Sequence, residues 1–476
     1  MQTTRTPVHR LAQLLCLTGM VILFMKPVSA QPGEFTLGTS IPVMYNPSAI
    51  VCADFNGDDY PDIAAGINNE YTNNPLGIFL NNGAGSISTI ADSLYTNAEP
   101  PAGIAAGDLN GDNIIDLAVT LYVNSLLQIY LGNGDGTFTL DTTITVPSLP
   151  GRIVIADFNN DSDNDIAIVS KYGFLHVYSG NNDGTFSLPA SVSTGGSSEG
   201  IDVYDVNKDN FPDILVGNGN MSSFSLFLNS GYGSFPAKTN INTYRPPWFV
   251  VAGNFDGDTI PDIATGSGSY QEKTSTIMLG DGQGNFAPSC TLNVCSNIRD
   301  LAVDDFNNDG RDEIVLGDPY GLYLIWSEGK GLFASVDTID QGDFYRSRFT
   351  LTADINKDGK NDIIVGRDGE ISIYYNGPFT AIKNEESKMM FFELFQNYPN
   401  PFNPSTTITY QIPENGHVKL DVFNVLGQRV KTLVNDFRNA GIYTVEFDGI
   451  GLCSGTYFYK LKAGRFFQMR KMVYMR

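Results

Sequence analysis

The sequence predicts an all-β chain: a seven-bladed β-propeller followed by a small Ig-like β-sandwich. Three observations predict it. An acidic segment recurs seven times at a spacing of about fifty residues. Each copy is embedded in short β-branched runs separated by Gly turns. Composition and charge then change near residue 390.

The N-terminus comes first. Residues 1–10 are polar and basic, residues 11–25 are nearly all apolar, and Val28, Ser29 and Ala30 offer small side chains for cleavage. That order reads as a secretory signal peptide over residues 1–30, and the apolar run is short for a membrane span. Beyond it remain Cys52, Cys290, Cys295 and Cys453, too few for a disulfide framework. Cys290 and Cys295 are near enough for one local bridge in an oxidising compartment, and Cys52 occupies an apolar strand position.

The repeat governs residues 31–379. DFNGDDYPDIA, starting at Asp54, returns as DLNGDNIIDLA at Asp108, DFNNDSDNDIA at Asp157, DVNKDNFPDIL at Asp205, NFDGDTIPDIA at Asn254, DFNNDGRDEIV at Asp305 and DINKDGKNDII at Asp354. The starts are 54, 49, 48, 49, 51 and 49 residues apart. A short run such as GIAAG enters the loop, IIDLAVT leaves it, LLQIYLG follows, and NGDGTF turns into TFTLDTTITV. Four strands joined by tight turns make one antiparallel sheet, and seven sheets arranged radially leave only short edges. The seventh repeat runs out at ISIYYNGPF, where its fourth strand is due. GEFTLGTSIPV (Gly33–Val43) aligns with GTFTLDTTITV (Gly136–Val146), so the first strand of the chain is expected to complete the last blade.

Counting within each loop, positions 1, 3, 5 and 9 always hold three carboxylates and one Asn. They are Asp54, Asn56, Asp58 and Asp62, then Asp108, Asn110, Asp112 and Asp116, then Asp157, Asn159, Asp161 and Asp165. The fourth and fifth copies give Asp205, Asn207, Asp209 and Asp213, and Asn254, Asp256, Asp258 and Asp262. The last two give Asp305, Asn307, Asp309 and Glu313, and Asp354, Asn356, Asp358 and Asp362. Three acids in nine residues repel one another unless a cation holds them, and hard oxygens at alternate positions around a tight turn suit Ca²⁺. Position 6 should tolerate a left-handed backbone. Asp59, Asn113, Asn210, Gly310 and Gly359 do, whereas Ser162 and Thr259 fit less well. Calcium-free Asx turns and a solvated acidic face are the competing readings. A glycosidase-type carboxylate pair is disfavoured because the pattern occurs in every blade.

The acidic loop followed by Ile/Leu-Ala-Val and a Gly-x-Phe turn resembles the FG-GAP/VCBS repeats of integrin α-chain-like propellers, over about residues 31–379. That resemblance implies calcium loops between the first two strands of each blade, up to seven Ca²⁺, and a ligand face on the opposite side. Such propellers serve adhesins, lectins and some polysaccharide lyases.

After a linker at 380–390, residues 391–476 read as alternating strands separated by Gly, Pro and Asn turns, a small sandwich. NYPNPFNPST (Asn397–Thr406), VLGQRV, SGTYFYKL and the final KMV resemble the type A C-terminal sorting domain of type IX secretion substrates. The resemblance implies passage through the periplasm and export to the surface or medium of a Gram-negative cell, with the secretion machinery as partner.

The charge of -23 is uneven. Residues 31–390 carry 16 Lys+Arg and 46 Asp+Glu, whereas residues 391–476 carry 10 and 6. So acidic a propeller disfavours nucleic acid and anionic membranes as partners. Seven Ca²⁺ would offset about half its excess charge. Three His in the chain argue against a His-built zinc site or a conventional triad. His176, in LHVYSG, has the setting of a packed strand residue rather than a base.

Three functions stay open: a protein- or glycan-binding surface protein, which is favoured, an extracellular carbohydrate-active enzyme such as a calcium-dependent lyase, and a purely structural module of a larger assembly. For binding, the loops opposite the acidic side carry Tyr71, Tyr95, Tyr122, Tyr172, Tyr244, Arg245, Trp248, Tyr270, Tyr320, Tyr345, Arg346 and Arg348. Tyr, Trp and Arg dominate binding hot spots. The sharpest candidates are Tyr244, Arg245 and Trp248 with Tyr345 and Arg346.

Overall fold

The structure is a computed structural model. It describes residues 35–475 apart from 44–46, 68–75, 84–86, 88–91, 95, 97–98, 236–237, 269–274, 293, 295–296, 342–348, 368, 378–392, 395–396, 398, 413–414, 426, 440, 453 and 465. The expected signal peptide, the linker, Cys295, Tyr71, Tyr95, Tyr270, Tyr345, Arg346 and Arg348 therefore lie outside the described residues. Cys290 carries a free thiol whose Sγ lies 3.4 Å from the Gly331 carbonyl oxygen.

Seven four-stranded antiparallel sheets follow one another in chain order. Blade one comprises Pro47–Ala53, Asp62–Ile67, Leu76–Phe79 and Asp92–Leu94. The innermost strands of blades two to seven are Gly103–Gly107, Pro150–Ala156, Ser198–Tyr204, Pro247–Gly253, Asp300–Asp304 and Phe349–Ala353. Blade seven's inner strand lies against that of blade one, which closes the ring. The second strand of each blade is buried along its length, as in Asp116–Leu121 and Asp165–Ser170. Sandwiched between neighbouring blades, such a strand has no wet face, so its apolar run is continuous and not alternating. Outer strands such as Phe138–Thr145 are largely exposed.

The closure takes the expected form. Phe35–Pro42 pairs antiparallel with Glu370–Asn376, from Phe35 opposite Asn376 to Pro42 opposite Glu370, with a register shift between Leu37 and Thr39. Phe35 meets Phe306 edge-on at 5.2 Å. Gly38 lets the Tyr375 ring approach: a Cβ there would fall 2.0 Å from it. The last sheet thus joins both ends of the propeller, and its edge is covered by its own chain.

The chain divides into two compact units at Phe379 and Thr380. The second unit is a sandwich of two sheets. One holds Glu393–Leu394, Ser405–Ile412 and Gly441–Asp448; the other holds Arg429–Arg438, Gly416–Asn424, Gly455–Ala463 and Phe466–Tyr474. Its core gathers Phe402, Tyr410, Leu420, Phe447, Tyr459 and Met472. Asn397 anchors the first turn, donating its backbone N–H to the Tyr459 hydroxyl at 2.8 Å and its side-chain amide to Thr406 Oγ1 at 2.9 Å.

Candidate functional site

Each acidic loop joins the first and second strands of its blade and winds around its position-1 side chain. In blade one, Asp54 Oδ1 accepts from the backbone N–H of Gly57 at 2.8 Å and Asp58 at 3.1 Å, while Oδ2 accepts from Asp59 at 2.7 Å. Asn56 Oδ1 accepts from the Asp58 N–H at 3.0 Å, and Asp58 Oδ1 accepts from the Tyr60 N–H at 2.9 Å. Blades four and seven repeat this around Asp205 and Asp354. The fifth loop keeps the turn with Asn254 Oδ1 receiving the Gly257 and Thr259 N–H groups. Position 6 is left-handed in all seven loops, including Ser162 (φ 75) and Thr259 (φ 68). So is position 4, where Gly57, Gly111 and Gly257 alternate with Asn160, Lys208, Asn308 and Lys357. The sequence pattern did not single out that second position, because its residue types vary.

Position 9 sits differently from positions 1, 3 and 5. Asp62, Asp116, Asp165, Asp213, Glu313 and Asp362 have no exposed surface, and Asp262 has 1%. Asp62 Oδ2 accepts the Phe55 N–H at 2.9 Å and Oδ1 accepts the Asn81 N–H at 2.7 Å, so it ties its loop to the end of the third strand. The same double bond recurs at Asp116, Asp165, Asp213, Asp262 and Asp362. Burial, opposed by these amides and reinforced by the acids at positions 5 and 1, pushes Asp62 and Asp116 up to about 6. Burial and Asp309 with Asp305 push Glu313 up to about 8.

Position 2 is a buried apolar residue throughout: Phe55, Leu109, Phe158, Val206, Phe255, Phe306 and Ile355. For all of these but Val206, the carbonyl bonds the next blade. Phe55 O accepts from Gly136 N at 3.1 Å, Leu109 O from Gly184 N at 3.1 Å, and Phe158 O from Gly233 N at 2.8 Å. Ile355 O accepts from Asn81 Nδ2 at 2.8 Å, so blade seven is stitched to blade one in the same way. These loops therefore serve both their own blade and the seam beside it.

Among the described residues, no three His, Cys, Asp or Glu side chains converge closely enough to hold a cation as they stand. The chemistry of the donor set nevertheless suits a hard cation. Positions 1, 3 and 5 present carboxylate and amide oxygens on one exposed turn, and burial, with the like charges at positions 5 and 1 adding to it, raises the carboxyl at position 9. Each position-9 oxygen that accepts one N–H keeps a second lone pair.

The opposite end of the inner strands holds a pocket of about 480 Å³. Every blade contributes to it: Ser48, Ala102, Arg152, Glu199, Trp248, Arg299 and Phe349 come from blades one to seven in turn. Arg152 reaches across the ring. Its guanidinium pairs with Asp300 of blade six at 2.8 Å and lies over Phe249 and Phe349 at 4.8 and 4.6 Å. Blades three and six are not neighbours, so this contact spans the axis. At the pocket wall Lys171 Nζ stands 5.5 Å from the Tyr122 ring centroid. Glu99 is buried and receives the backbone N–H groups of Val123 and Asn124 and the Asn124 side-chain amide.

Of the aromatic and cationic candidates, Trp248 and Tyr122 line this pocket. Trp248 is fixed by its Nε1–H to Gly219 O at 3.1 Å and by Gly268, where a Cβ would fall 2.4 Å from the indole. Tyr172, Tyr244 and Tyr320 are exposed and do not line it, nor does Arg245. The sequence reading missed Glu99, Arg152, Lys171, Glu199 and Arg299, because they are scattered over several blades, with Arg152 and Lys171 in blade three, Glu199 in blade four and Arg299 in blade six, and no shared spacing marks them. His176 is 2% exposed, with Nδ1 at 2.8 Å from Ser191 Oγ and Nε2 at 3.4 Å from Ser148 Oγ. Burial lowers its basicity, and it is a packed strand residue.

The FG-GAP-like repeat family matches residues 54–119, 114–168, 157–216, 205–265 and 305–365, and the secretion system C-terminal sorting domain matches residues 396–475. Integrin alpha-8 of Gallus gallus is 26% identical over 168 residues, covering 30% of this chain and 16% of that protein. The crystal structure of BBS1N in complex with ARL6DN, soaked with lead, aligns with a TM-score of 0.53 at 12% identity, over 74% of this chain and 99% of that one. An Agrocybe aegerita lectin structure, described as recognising non-reducing terminal N-acetylglucosamine, aligns with a TM-score of 0.50 at 16% identity, over 68% and 86%. At these identities the likeness to solved structures is one of fold. The chain belongs to the FG-GAP-like repeat family, and it is a secreted or surface-exposed protein of Gram-negative type, carrying a C-terminal type IX sorting domain.

Proposed function

We propose that this is a calcium-loaded recognition protein, which binds a protein or glycan ligand on the face opposite its acidic loops. Calcium would be held by positions 1, 3 and 5 of each loop, with the position-9 carboxylate behind them. When bound, it supplies positive charge that offsets the crowded acids and stiffens the turns. Because position 2 is bonded to the adjacent blade in six of the loops, that stiffening would extend to their seams.

The observation that carries the ligand assignment is the axial pocket, to which all seven blades contribute and in which an indole is fixed by the Gly219 carbonyl and by close approach of Gly268. A concave site with a few aromatic and polar groups is the usual form of a ligand site. Trp248→Ala should weaken binding to target cells or to glycans on an array by at least roughly tenfold, as the loss of a hot-spot aromatic does. Its calcium-dependent melting should stay intact. Unchanged binding in that variant would move the site elsewhere on the molecule.

A further inference from the structure

We propose that the secretion machinery takes hold of this chain by the outer face of the four-stranded sheet in the C-terminal sandwich, and that the protein surface it brings there is acidic around an apolar centre. The two outer faces of this one small unit differ sharply. On the three-stranded sheet the outward positions are Ser405, Thr407, Thr409, Thr444, Glu446 and Asp448, an ordinary solvated face. On the four-stranded sheet the outward positions carry Phe437, Phe467 and Met469, which are 63, 68 and 51% exposed. Large apolar groups left together in water mark a surface that is covered in use. Aromatic and Met side chains are also what protein interfaces gather at their centres.

The strand register places positive charge around them. Lys419, Lys462 and Phe467 lie side by side across three strands, and Asp421, Lys460 and Met469 form the next row. Arg429, Phe423, Phe458 and Lys471 form the row after that. These rows hold five Lys or Arg against one acid, Asp421. That acid is already met by the Thr432 hydroxyl and by Lys419 at 3.4 Å. Asp436, on the edge strand, is paired with Arg438 at 3.7 Å. Lys460 Nζ stands 4.9 Å from the Phe467 ring centroid, a contact that leaves its charge intact. The face therefore keeps a positive excess, whichever of its cations also touch a neighbour. A partner that covers it must bring carboxylates around an apolar patch, because cations set against cations cost affinity. Sinking Phe467 into a bilayer would strip water from the Lys460 ammonium above it, so a protein surface fits better than lipid. The sorting-domain match already calls for a protein partner for this unit.

The test reads export and folding separately, on the full chain in a Gram-negative host with a type IX apparatus. Phe467→Ser with Met469→Ser removes the apolar centre, and Lys460→Glu with Lys462→Glu reverses the charge beside it. All four side chains point away from the core, so the purified variants should melt as the wild type does. Each pair should lower the amount of chain outside the cell by at least roughly tenfold, with the rest held in the periplasm. Lys460→Arg with Lys462→Arg should be exported normally, as should Thr407→Glu with Thr444→Glu on the other face. Normal export of either disabled pair overturns the assignment, and so does an equal loss in the Thr control. Two further outcomes overturn it by naming another occupant. One is sedimentation of the purified chain with phosphatidylglycerol vesicles that the charge-reversed pair loses. The other is a dimer in solution that Phe467→Ser with Met469→Ser abolishes.

Discussion

Buried carboxylates recur at the seams of this ring, and each is received by backbone amides. Asp202, on the inner strand of blade four, accepts the Ala252 N–H of blade five at 2.9 Å, and burial raises it to about 6. The folded chain thus holds this proton more tightly than the unfolded chain, whose Asp titrates near 4. Its contribution to stability is full below about pH 4 and is lost as pH rises through about 6. Asp202→Asn keeps an acceptor and removes the charge. Its stability relative to wild type should therefore rise between about pH 4 and 6 and level off above. Denaturant midpoints from pH 4 to 8 check this, and a pH-independent difference contradicts it. The same scale shows why the pocket was harder to read than the loops. The position-9 acids announce themselves by repetition, whereas Arg152 and Asp300 lie in different repeats and meet only because the ring closes.

Elements were the legible scale. Seven acidic loops fixed the number of blades, and the GEFTL/GTFTL correspondence placed the closing strand against blade seven, where Phe35–Pro42 pairs with Glu370–Asn376. Less legible was how the loops are held. That position 9 would bond amides at both oxygens, and that position 2 would bond the next blade, depends on packing between repeats that spacing does not encode. The closing strand carries its own prediction. Deleting residues 33–43 exposes the Glu370–Asn376 edge together with its buried Tyr374 and Tyr375, and unpaired edges promote association. The truncated chain should melt at lower temperature and aggregate, which light scattering during heating measures. A monomer with wild-type melting would contradict the role of the strand.

At the scale of the molecule, two compact units divide the work. The C-terminal sandwich has its own core, and its sorting-domain match spans residues 396–475. Removing residues 391–476 should leave a folded propeller retained in the periplasm, as cell fractionation and calcium-dependent melting would show. Undiminished appearance in the medium or at the surface would contradict the sorting role. In the proposed reading, the propeller's acidic loops are calcium sites whose occupancy reinforces the ring. Calorimetric titration of the metal-free protein with Ca²⁺ tests that most directly. The account predicts several equivalents bound per chain, up to seven, with Mg²⁺ substituting poorly. A titration with no binding of Ca²⁺ would contradict it.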